Sequence, residues 1–359
     1  MAGRSLAAAL AFCLFLPSTA TSASEASAKV IADAIDGFIR PAYGRLVETT
    51  AELSKSMITL CATPSTDTLT AARASFARTT ATWSEVEIIR FGPITEQNRL
   101  ERLLFWPDRK GTGLKQVQSA LADKDATATD AATLSQKSVA MQGLGALEFV
   151  LFGTGADELA GNSAAYRCAY GKAISGNIGA IASDVDAGWR DDNGFASQWK
   201  NPGAGNPLYR DDSEALTELL EVYVNGLELV RDVRLNGFFG KNTASDKPKQ
   251  ALYWRSEGTG ASLAGNISGM EALFAASKFG ELVPADERWV AESIGFEFTN
   301  AQAAAAAVTG PIDAALADPA KREKLGYFAL VTSSLSEQFG TRLSGALGLT
   351  AGFSSLDGD

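Results

Sequence analysis

Histidine is absent from all 359 residues of the chain. This absence excludes Ser-His-Asp and Cys-His catalysis, zinc sites with histidine ligands and the HExxH class of metalloproteases. Zinc is therefore not expected as a cofactor. Any chemistry must come from carboxylates, arginine, lysine, tyrosine, serine or backbone groups, since these are the polar groups that remain.

Basic residues are outnumbered by acidic ones, with 32 Lys and Arg against 42 Asp and Glu, and the formal net charge is −10. No basic stripe is present, so nucleic acid is not an expected partner. An acidic surface would suit cation capture, but it is also common in proteins that bind no cation. Strand-type runs of Val, Ile and Thr are scarce whereas Ala is abundant. This composition favours helices, because alanine loses no side-chain entropy in them.

Long apolar runs are also rare, and the clearest one lies near the N-terminus. Residues 1–23 are typical of a secretory signal, with Arg4 before an apolar run at 6–16 and small residues at 18–23. That run is too short to cross a bilayer, and no later stretch approaches the roughly 18 apolar residues that a transmembrane helix needs. Cys13 comes early and follows a phenylalanine, which disfavours a lipid anchor. The sequence therefore predicts export to the periplasm or cell envelope, with no transmembrane segment in the mature chain.

Only two cysteines, Cys61 and Cys168, remain after the predicted signal segment. In an oxidising envelope an isolated pair is a disulfide candidate, and each cysteine would lie at the end of a predicted helix. The alternative is a pair of buried free thiols. We predict the disulfide, because it would tie two segments of the chain together.

Apolar residues recur at helical spacing through most of the mature chain, which predicts helices. Pro41 lies inside the first pattern and should kink or interrupt it. A long polar and aromatic connection at 96–113 separates the early helices, and long irregular connections are often functional. The predicted helices cover about residues 30–61, 69–90, 130–152, 164–189, 213–236, 258–278, 285–308 and 318–347.

The segment 191–212 divides these helices into two sets of four. It is rich in Asp, Asn, Gly and Pro, which is typical of a linker. Four helices on each side predict two helical bundles. The predicted fold class is therefore all-α, with a signal peptide at 1–23, an N-terminal bundle at 24–190, a linker at 191–212 and a C-terminal bundle at 213–359.

The segment 142–153, with the sequence QGLGALEFVLFG, resembles the signature region of the imelysin-like family. That family includes an insulin-cleaving membrane protease and iron-regulated periplasmic proteins, and its hallmark is GxHxxE on a helix. Gly143 and Glu148 match the hallmark, whereas Gly145 stands where the family has its histidine. Further family-like segments lie at 83–87, 90–93, 105–108, 166–168, 253–256 and 352–359.

The resemblance implies two helical bundles with a functional site near their interface. The motif residues in this chain are Gly143, Gly145 and Glu148. The other candidates for a ligand or interface site are charged and aromatic residues of the family-like segments: Trp83, Glu87, Arg90, Trp106, Asp108, Arg255 and Asp357.

Several of these candidates also have a structural interpretation. For Trp83 and Trp106, packing is favoured over stacking on a ligand. Arg255 could clamp an anion or pair with a core carboxylate. Asp357 belongs to a C-terminal tail that could cap a helix, bind a cation or fray.

Glu148 lies among apolar residues of a predicted helix, and a buried carboxylate must be paired or hydrogen-bonded. It could be a ligand or polar anchor of the site, or half of a structural salt bridge with Arg90 or Arg255. A candidate iron or calcium ion would need about six oxygen ligands, and Glu148 alone supplies one carboxylate. Gly145 supplies no ligand and could leave space beside Glu148, but close helix packing is its favoured role.

The leading functional hypothesis is a periplasmic binding or accessory protein in iron acquisition, without catalytic turnover. Such a protein would bind a metal ion or small ligand and could work with an iron-transport partner in the envelope. One alternative is a metallopeptidase, which the founding activity of the family implies and the missing histidine disfavours. Another alternative is a structural interaction module of the envelope.

Overall fold

The computed structural model describes residues 19–350, and it describes side chains from residue 24 onward. Most of the predicted signal segment, including Cys13, therefore lies outside the described residues, as does the C-terminal tail with Asp357. Between residues 19 and 350 the chain forms helices and turns without any β-strand, so the predicted all-α fold is confirmed. No helix in this range is long and apolar enough to cross a membrane.

The α-helices vary from single turns to rods of 26 residues. Over the described range they are α1 Thr19–Ala34, α2 Arg40–Ala62, α3 Thr66–Val86, α4 Arg99–Leu103, α5 Thr112–Asp123, α6 Ala131–Leu134, α7 Leu144–Phe152, α8 Ala165–Arg190, α9 Phe195–Lys200, α10 Asp212–Glu228, α11 Asn236–Phe238, α12 Thr259–Ser277, α13 Trp289–Ala306, α14 Ile312–Ala317, α15 Pro319–Glu337 and α16 Ser344–Ala346.

Shorter helical segments of other types join these helices. The π-helical segments are Ile35–Ile39, Leu229–Leu235 and Gln338–Leu343. The 3₁₀ segments are Gly92–Asn98, Ala126–Ala128, Val139–Met141, Ala156–Ala160, Asn162–Ala164, Thr243–Ser245, Pro248–Gln250, Phe279–Leu282 and Ala285–Glu287.

The first two helices are divided where the sequence predicts an interruption. Pro41 lies in the first turn of α2, directly after the π-helical segment Ile35–Ile39. The backbone stays helical across this junction, since the Arg40 amide still donates to the Ile35 carbonyl. The π-helical turn accommodates a proline, which has no amide hydrogen to donate. α3 then begins with a capping box, in which Ser65 Oγ accepts a hydrogen bond from the Thr68 amide and Thr68 Oγ1 accepts one from the Ser65 amide.

The N-terminal bundle is built around α2, which packs along both α3 and α8, while α7 packs against α3 and α8. A disulfide between Cys61 near the end of α2 and Cys168 in the first turn of α8 fastens this bundle. Their Cα atoms are 5.5 Å apart, and the predicted pairing is confirmed.

The C-terminal bundle consists of α10, α12, α13 and α15. Its core is aromatic, with the rings of Tyr223 and Phe339 stacked at a centroid distance of 4.2 Å. α1 also packs against α10 and α12, so a helix from the start of the described chain contributes to this bundle. The placement of a domain boundary at 191–212 stays a prediction.

The segment predicted as a linker is itself folded onto the protein. It contains α9, in which Trp199 is fully buried and donates a hydrogen bond from Nε1 to the carbonyl of Ala215 at 2.9 Å. The ring of Phe195 lies 5.4 Å from that of Trp189 and 5.5 Å from that of Phe91. Its aromatic residues therefore attach the segment to the core on both sides.

The two bundles meet where α3 packs against α12. A Cβ atom at Gly269 would lie 1.9 Å from the carbonyl oxygen of Glu85, so only glycine permits this approach. Polar contacts accompany it: the hydroxyls of Ser84 and Ser262 are 2.9 Å apart, and Asn266 Nδ2 donates to the Ser84 carbonyl at 2.7 Å. This close contact brings the loops at one end of the two bundles together.

Candidate functional site

A cavity of about 580 Å³ lies between the two bundles. One wall comes from residues 105–117 and 139–149 of the N-terminal half, and the other from residues 232–255 of the C-terminal half. This volume is in the range of small-molecule sites, which are concave and often lie at domain interfaces. We refer to this space as the interbundle cavity.

The motif helix α7 begins at the wall of the interbundle cavity. Sequence periodicity predicted one helix over 130–152, and this was wrong, because α7 starts only at Leu144 after the extended residue Gly143. A Cβ atom at Gly143 would lie 2.4 Å from the carbonyl oxygen of Leu103. The first motif glycine is therefore required by a backbone contact that local periodicity does not reveal.

Gly145 lies in the first turn of α7 and faces the interbundle cavity. A Cβ atom at this position would meet no other atom within 4 Å. The favoured prediction that Gly145 serves close helix packing was therefore wrong, since no neighbour approaches it. Because residues three apart share a helix face, this position instead leaves space beside Glu148.

Glu148 is 5% exposed and lines the cavity. Its Oε1 accepts hydrogen bonds from the Ser256 amide at 3.0 Å and the Ser256 hydroxyl at 2.8 Å. Burial raises the pKa of the Glu148 carboxyl, and the bonds from Ser256 and the charge of Arg255 oppose that rise. The predicted salt-bridge partners do not take this role: Arg90 is exposed, and none of the ion pairs among the described residues involves Arg255 or Glu148.

Arg255 extends along the cavity wall between two aromatic rings. Its guanidinium carbon lies 4.4 Å from the ring centroid of Trp254 and 5.4 Å from that of Phe149. Burial lowers the pKa of Arg255, and the charge of Glu148 opposes that effect. Arg255 therefore presents a partly desolvated positive charge beside the motif carboxylate.

Trp106 and Asp108 also line the cavity, but each has a structural contact. The guanidinium of Arg234 lies 4.7 Å from the Trp106 ring centroid. The Asp108 carboxylate accepts hydrogen bonds from the amides of Thr112 at 2.7 Å and Leu114 at 3.1 Å, so it caps the first turn of α5.

Two further predicted site residues lie behind the cavity wall. Glu87 is buried and forms an ion pair with Arg234, which the π-helical segment Leu229–Leu235 supplies. Asn266 Nδ2 also donates to Glu87, at 3.3 Å. Trp83 is fully buried in the core and does not line the cavity.

The structure thus brings six of the predicted residues to one cavity. These are Gly143, Gly145, Glu148, Trp106, Asp108 and Arg255. Sequence reasoning did not assign a role to Ser256 or Tyr253, although both belong to the family-like segment 253–256. Tyr253 is buried with a left-handed φ of 57°, and such backbone strain in a non-glycine residue often marks a functional site.

The residues at the cavity do not fit a resident metal ion. Between residues 19 and 350, no group of three or more Asp, Glu, Cys or His side chains is arranged to hold one. Glu148 offers a single carboxylate, and one of its oxygens is already bonded to Ser256. The adjacent Arg255 would repel a cation, so the wall is better suited to another kind of ligand.

Comparison with known proteins agrees with the all-α fold. No curated protein matches the chain in sequence. The fold is similar to that of an imelysin-like protein from Psychrobacter arcticum 273-4, with 20% identity, a TM-score of 0.72, and coverage of 92% of this chain and 98% of that chain. It is also similar to a protein from Parabacteroides distasonis ATCC 8503 described as an iron-regulated protein A precursor, with 16% identity, a TM-score of 0.74, and coverage of 90% and 95%. The family model for imelysin, Peptidase M75, matches residues 39–338, and the chain therefore belongs to the imelysin family.

Proposed function

We propose that this protein is exported and binds a small ligand in the interbundle cavity, as a non-catalytic component of iron acquisition. The observation that carries the proposal is the position of the motif: Gly143, Gly145 and Glu148 all lie in the wall of one cavity between the bundles. A carboxylate held by Ser256 and an arginine held by two rings form a pre-organised polar surface there.

The link to iron and to the periplasm or envelope rests on separate observations. A relative of the same fold is described as an iron-regulated protein A precursor. The predicted signal segment at 1–23 favours export. The disulfide between Cys61 and Cys168 is consistent with an oxidising compartment, because such bonds are rare in the cytosol.

Binding without turnover is favoured over the peptidase activity that the family name suggests. A metallopeptidase positions an activated water with several metal ligands. The chain has no histidine, its cysteines at 61 and 168 are joined, and Glu148 has only Ser256 as a direct side-chain partner. We expect the purified protein to leave insulin intact with or without added divalent metal ions. Metal-dependent cleavage that Glu148→Gln abolishes would refute this part of the proposal.

Filling the cavity tests the proposed function in cells. Gly145→Leu would place a side chain in open cavity space, and in α7 leucine is also a better helix former than glycine. Gly326→Leu is the matched control, because Gly326 is exposed on α15 with open space around it.

In a strain that lacks this protein, wild type and Gly326→Leu should restore iron uptake from iron-limited medium. Gly145→Leu should not restore it, although it reaches the same compartment at the same abundance. Full restoration by Gly145→Leu, or normal uptake in the deletion strain, would contradict the proposed function.

A further inference from the structure

The acidic and basic side chains around the interbundle cavity differ in their contacts within the protein. Three carboxylates line it, and each is engaged. Asp108 caps α5, Glu148 accepts two hydrogen bonds from Ser256, and Asp232 accepts hydrogen bonds from Arg231 at 2.9 and 2.6 Å. Each acidic group of the wall therefore already has a hydrogen-bond partner within the protein.

The basic groups of the same wall show the opposite pattern. Arg109, Lys247, Lys249 and Arg255 line the cavity, and none of them forms an ion pair with a described residue. The whole chain has a net charge of −10, so four basic side chains without ion pairs around one cavity are a local departure from its acidic composition. Lysines without ion pairs are common on exposed surfaces and do not by themselves indicate a binding site. Arg255 is different, because it is half-buried.

Arg255 is the decisive member of this set. A partly desolvated guanidinium without an acceptor from the protein is unfavourable, and the rings of Trp254 and Phe149 compensate only in part. A guanidinium has a planar fork of donors that matches a carboxylate in a bidentate manner. Because no described side chain accepts from it, Arg255 is available to a carboxylate ligand, which would replace water as the acceptor.

The start of α7 adds to the positive potential at the same place. Gly143 provides no side-chain cap, and the first turn contains no acidic residue. Gly145 and Ala146 from that turn line the cavity. Free amides at a helix N-terminus favour an anion, so the helix and Arg255 act in the same direction.

The aromatic residues of the wall favour a ligand with a flat or apolar body. Trp106, Trp254, Phe105 and Phe149 line the cavity and present apolar faces beside the cations. Flat or apolar groups pack well on such rings. Lys249 lies 5.9 Å from the centroid of Trp254, so positive charge and an aromatic face are available side by side.

We propose that the interbundle cavity binds a small organic acid whose carboxylate is held by Arg255, with Lys247 and Lys249 at the cavity rim and with a flat or apolar body against the aromatic wall. This inference rests on the proposed function and names the chemical class of its ligand. Arg255 is the residue that discriminates the anion from a neutral molecule of the same shape.

A matched pair of probes tests the charge requirement. Naphthalene-2-carboxylate and its neutral amide, naphthalene-2-carboxamide, have nearly the same shape and differ in charge. Calorimetric titration of the mature protein should show the carboxylate binding at least about tenfold more tightly than the amide, and added salt should reduce that preference.

Substitutions in the cavity test whether the preference for the carboxylate over the amide arises there. Arg255→Met should remove the preference for the carboxylate while leaving amide binding nearly unchanged, and Arg288→Met, at an exposed arginine outside the cavity, should change neither. Lys249→Glu, at an exposed position that cannot compromise the core, should weaken the carboxylate and spare the amide.

Equal affinity of the wild type for acid and amide, an unchanged preference in both cavity variants, or no binding of either probe would overturn the proposal. These outcomes leave the proposed function separately testable. If Gly145→Leu still abolishes iron uptake, the cavity is functional and only the assignment of an organic acid fails.

Discussion

The carboxylate of Glu148 and the side chain and amide of Ser256 join two segments that are 108 residues apart in the chain. The Ser256 amide lies 3.0 Å and its hydroxyl 2.8 Å from the same oxygen, Oε1. This double hydrogen bond fastens the motif helix α7 of one bundle to the 251–257 turn that precedes α12 of the other. The motif carboxylate therefore helps to fix the two walls of the cavity relative to each other.

Removing the Ser256 hydroxyl should weaken the contact between α7 and the 251–257 turn. We expect Ser256→Ala to lower the free energy of unfolding by about 1–2 kcal/mol, because a hydrogen bond to a buried carboxylate is lost while the amide bond remains. Urea unfolding measures this change. Ser119→Ala is the control, since the Ser119 hydroxyl bonds only to the exposed Asp123, and it should change stability by less than about 0.5 kcal/mol. Equal effects of the two substitutions would show that the Ser256 hydroxyl contributes nothing specific.

The raised pKa of Glu148 makes a prediction about pH. Burial raises the pKa above the ordinary value of 4.5, so the folded protein binds more protons than the unfolded chain between 4.5 and the raised pKa. The stability that protonated Glu148 contributes is thus fully present below 4.5 and is lost as pH rises through the folded pKa. Glu148→Gln cannot titrate, and its amide oxygen can still accept from Ser256.

Melting temperatures of wild type and Glu148→Gln measured from acidic to neutral pH separate this effect from the rest of the protein. The stability of the wild type relative to Glu148→Gln should fall as pH rises. A constant difference across that range, or a difference of opposite sign, would be inconsistent with a raised pKa at Glu148.

The ion pair of Glu87 and Arg234 behind the cavity wall should be costly to break. Their side chains are 3% and 4% exposed, so Arg234→Met leaves a buried carboxylate without its cation. We expect a loss of about 3–5 kcal/mol in the free energy of unfolding. Arg78→Met removes a pair with Glu52 whose side chains are 54% and 60% exposed, and it should cost at most about 1 kcal/mol. A small effect of Arg234→Met in chemical unfolding would mean that solvent reaches this pair.

The disulfide should stabilise the N-terminal bundle. It joins residues separated by 107 positions, and the replacement of both cysteines, Cys61→Ser with Cys168→Ser, should reduce stability by about 2–5 kcal/mol without changing the helical content. Guanidinium unfolding with and without a reductant checks this. The reductant should lower the midpoint of the wild type only. Two titratable thiols in the unfolded, unreduced mature protein would rule the bridge out.

The fold was predictable because its determinants are local. Apolar spacing of 3.6 residues predicted most of the long helices, although not the division of 130–152. Pro41 predicted the interruption before α2, and the two remaining cysteines predicted their bridge. The segment 191–212 was harder. Its Gly, Asn and Pro residues correctly indicated turns, but Trp199 also packs against the ring of Phe91, which is more than 100 residues earlier in the chain.

The site was predictable only in part, because its contacts join distant segments. The motif and the segment with Arg255 could be recognised from the sequence. The partner of Glu148 could not, since Ser256 reaches it through a turn in which Tyr253 has a left-handed φ of 57°. Asp108 shows the converse: its charge suggested a site residue, yet its carboxylate caps α5.

Native mass spectrometry of the exported protein, isolated under mild conditions from iron-limited cells, tests the central claim most directly. The account predicts that wild type and Gly326→Leu carry the same non-covalent small ligand, that Gly145→Leu lacks it because its side chain fills the interbundle cavity, and that the ligand mass does not change on incubation. Retention of the ligand by Gly145→Leu, conversion of the ligand to a product, or no ligand on any of the three proteins would contradict the assignment of this cavity as a binding site without turnover.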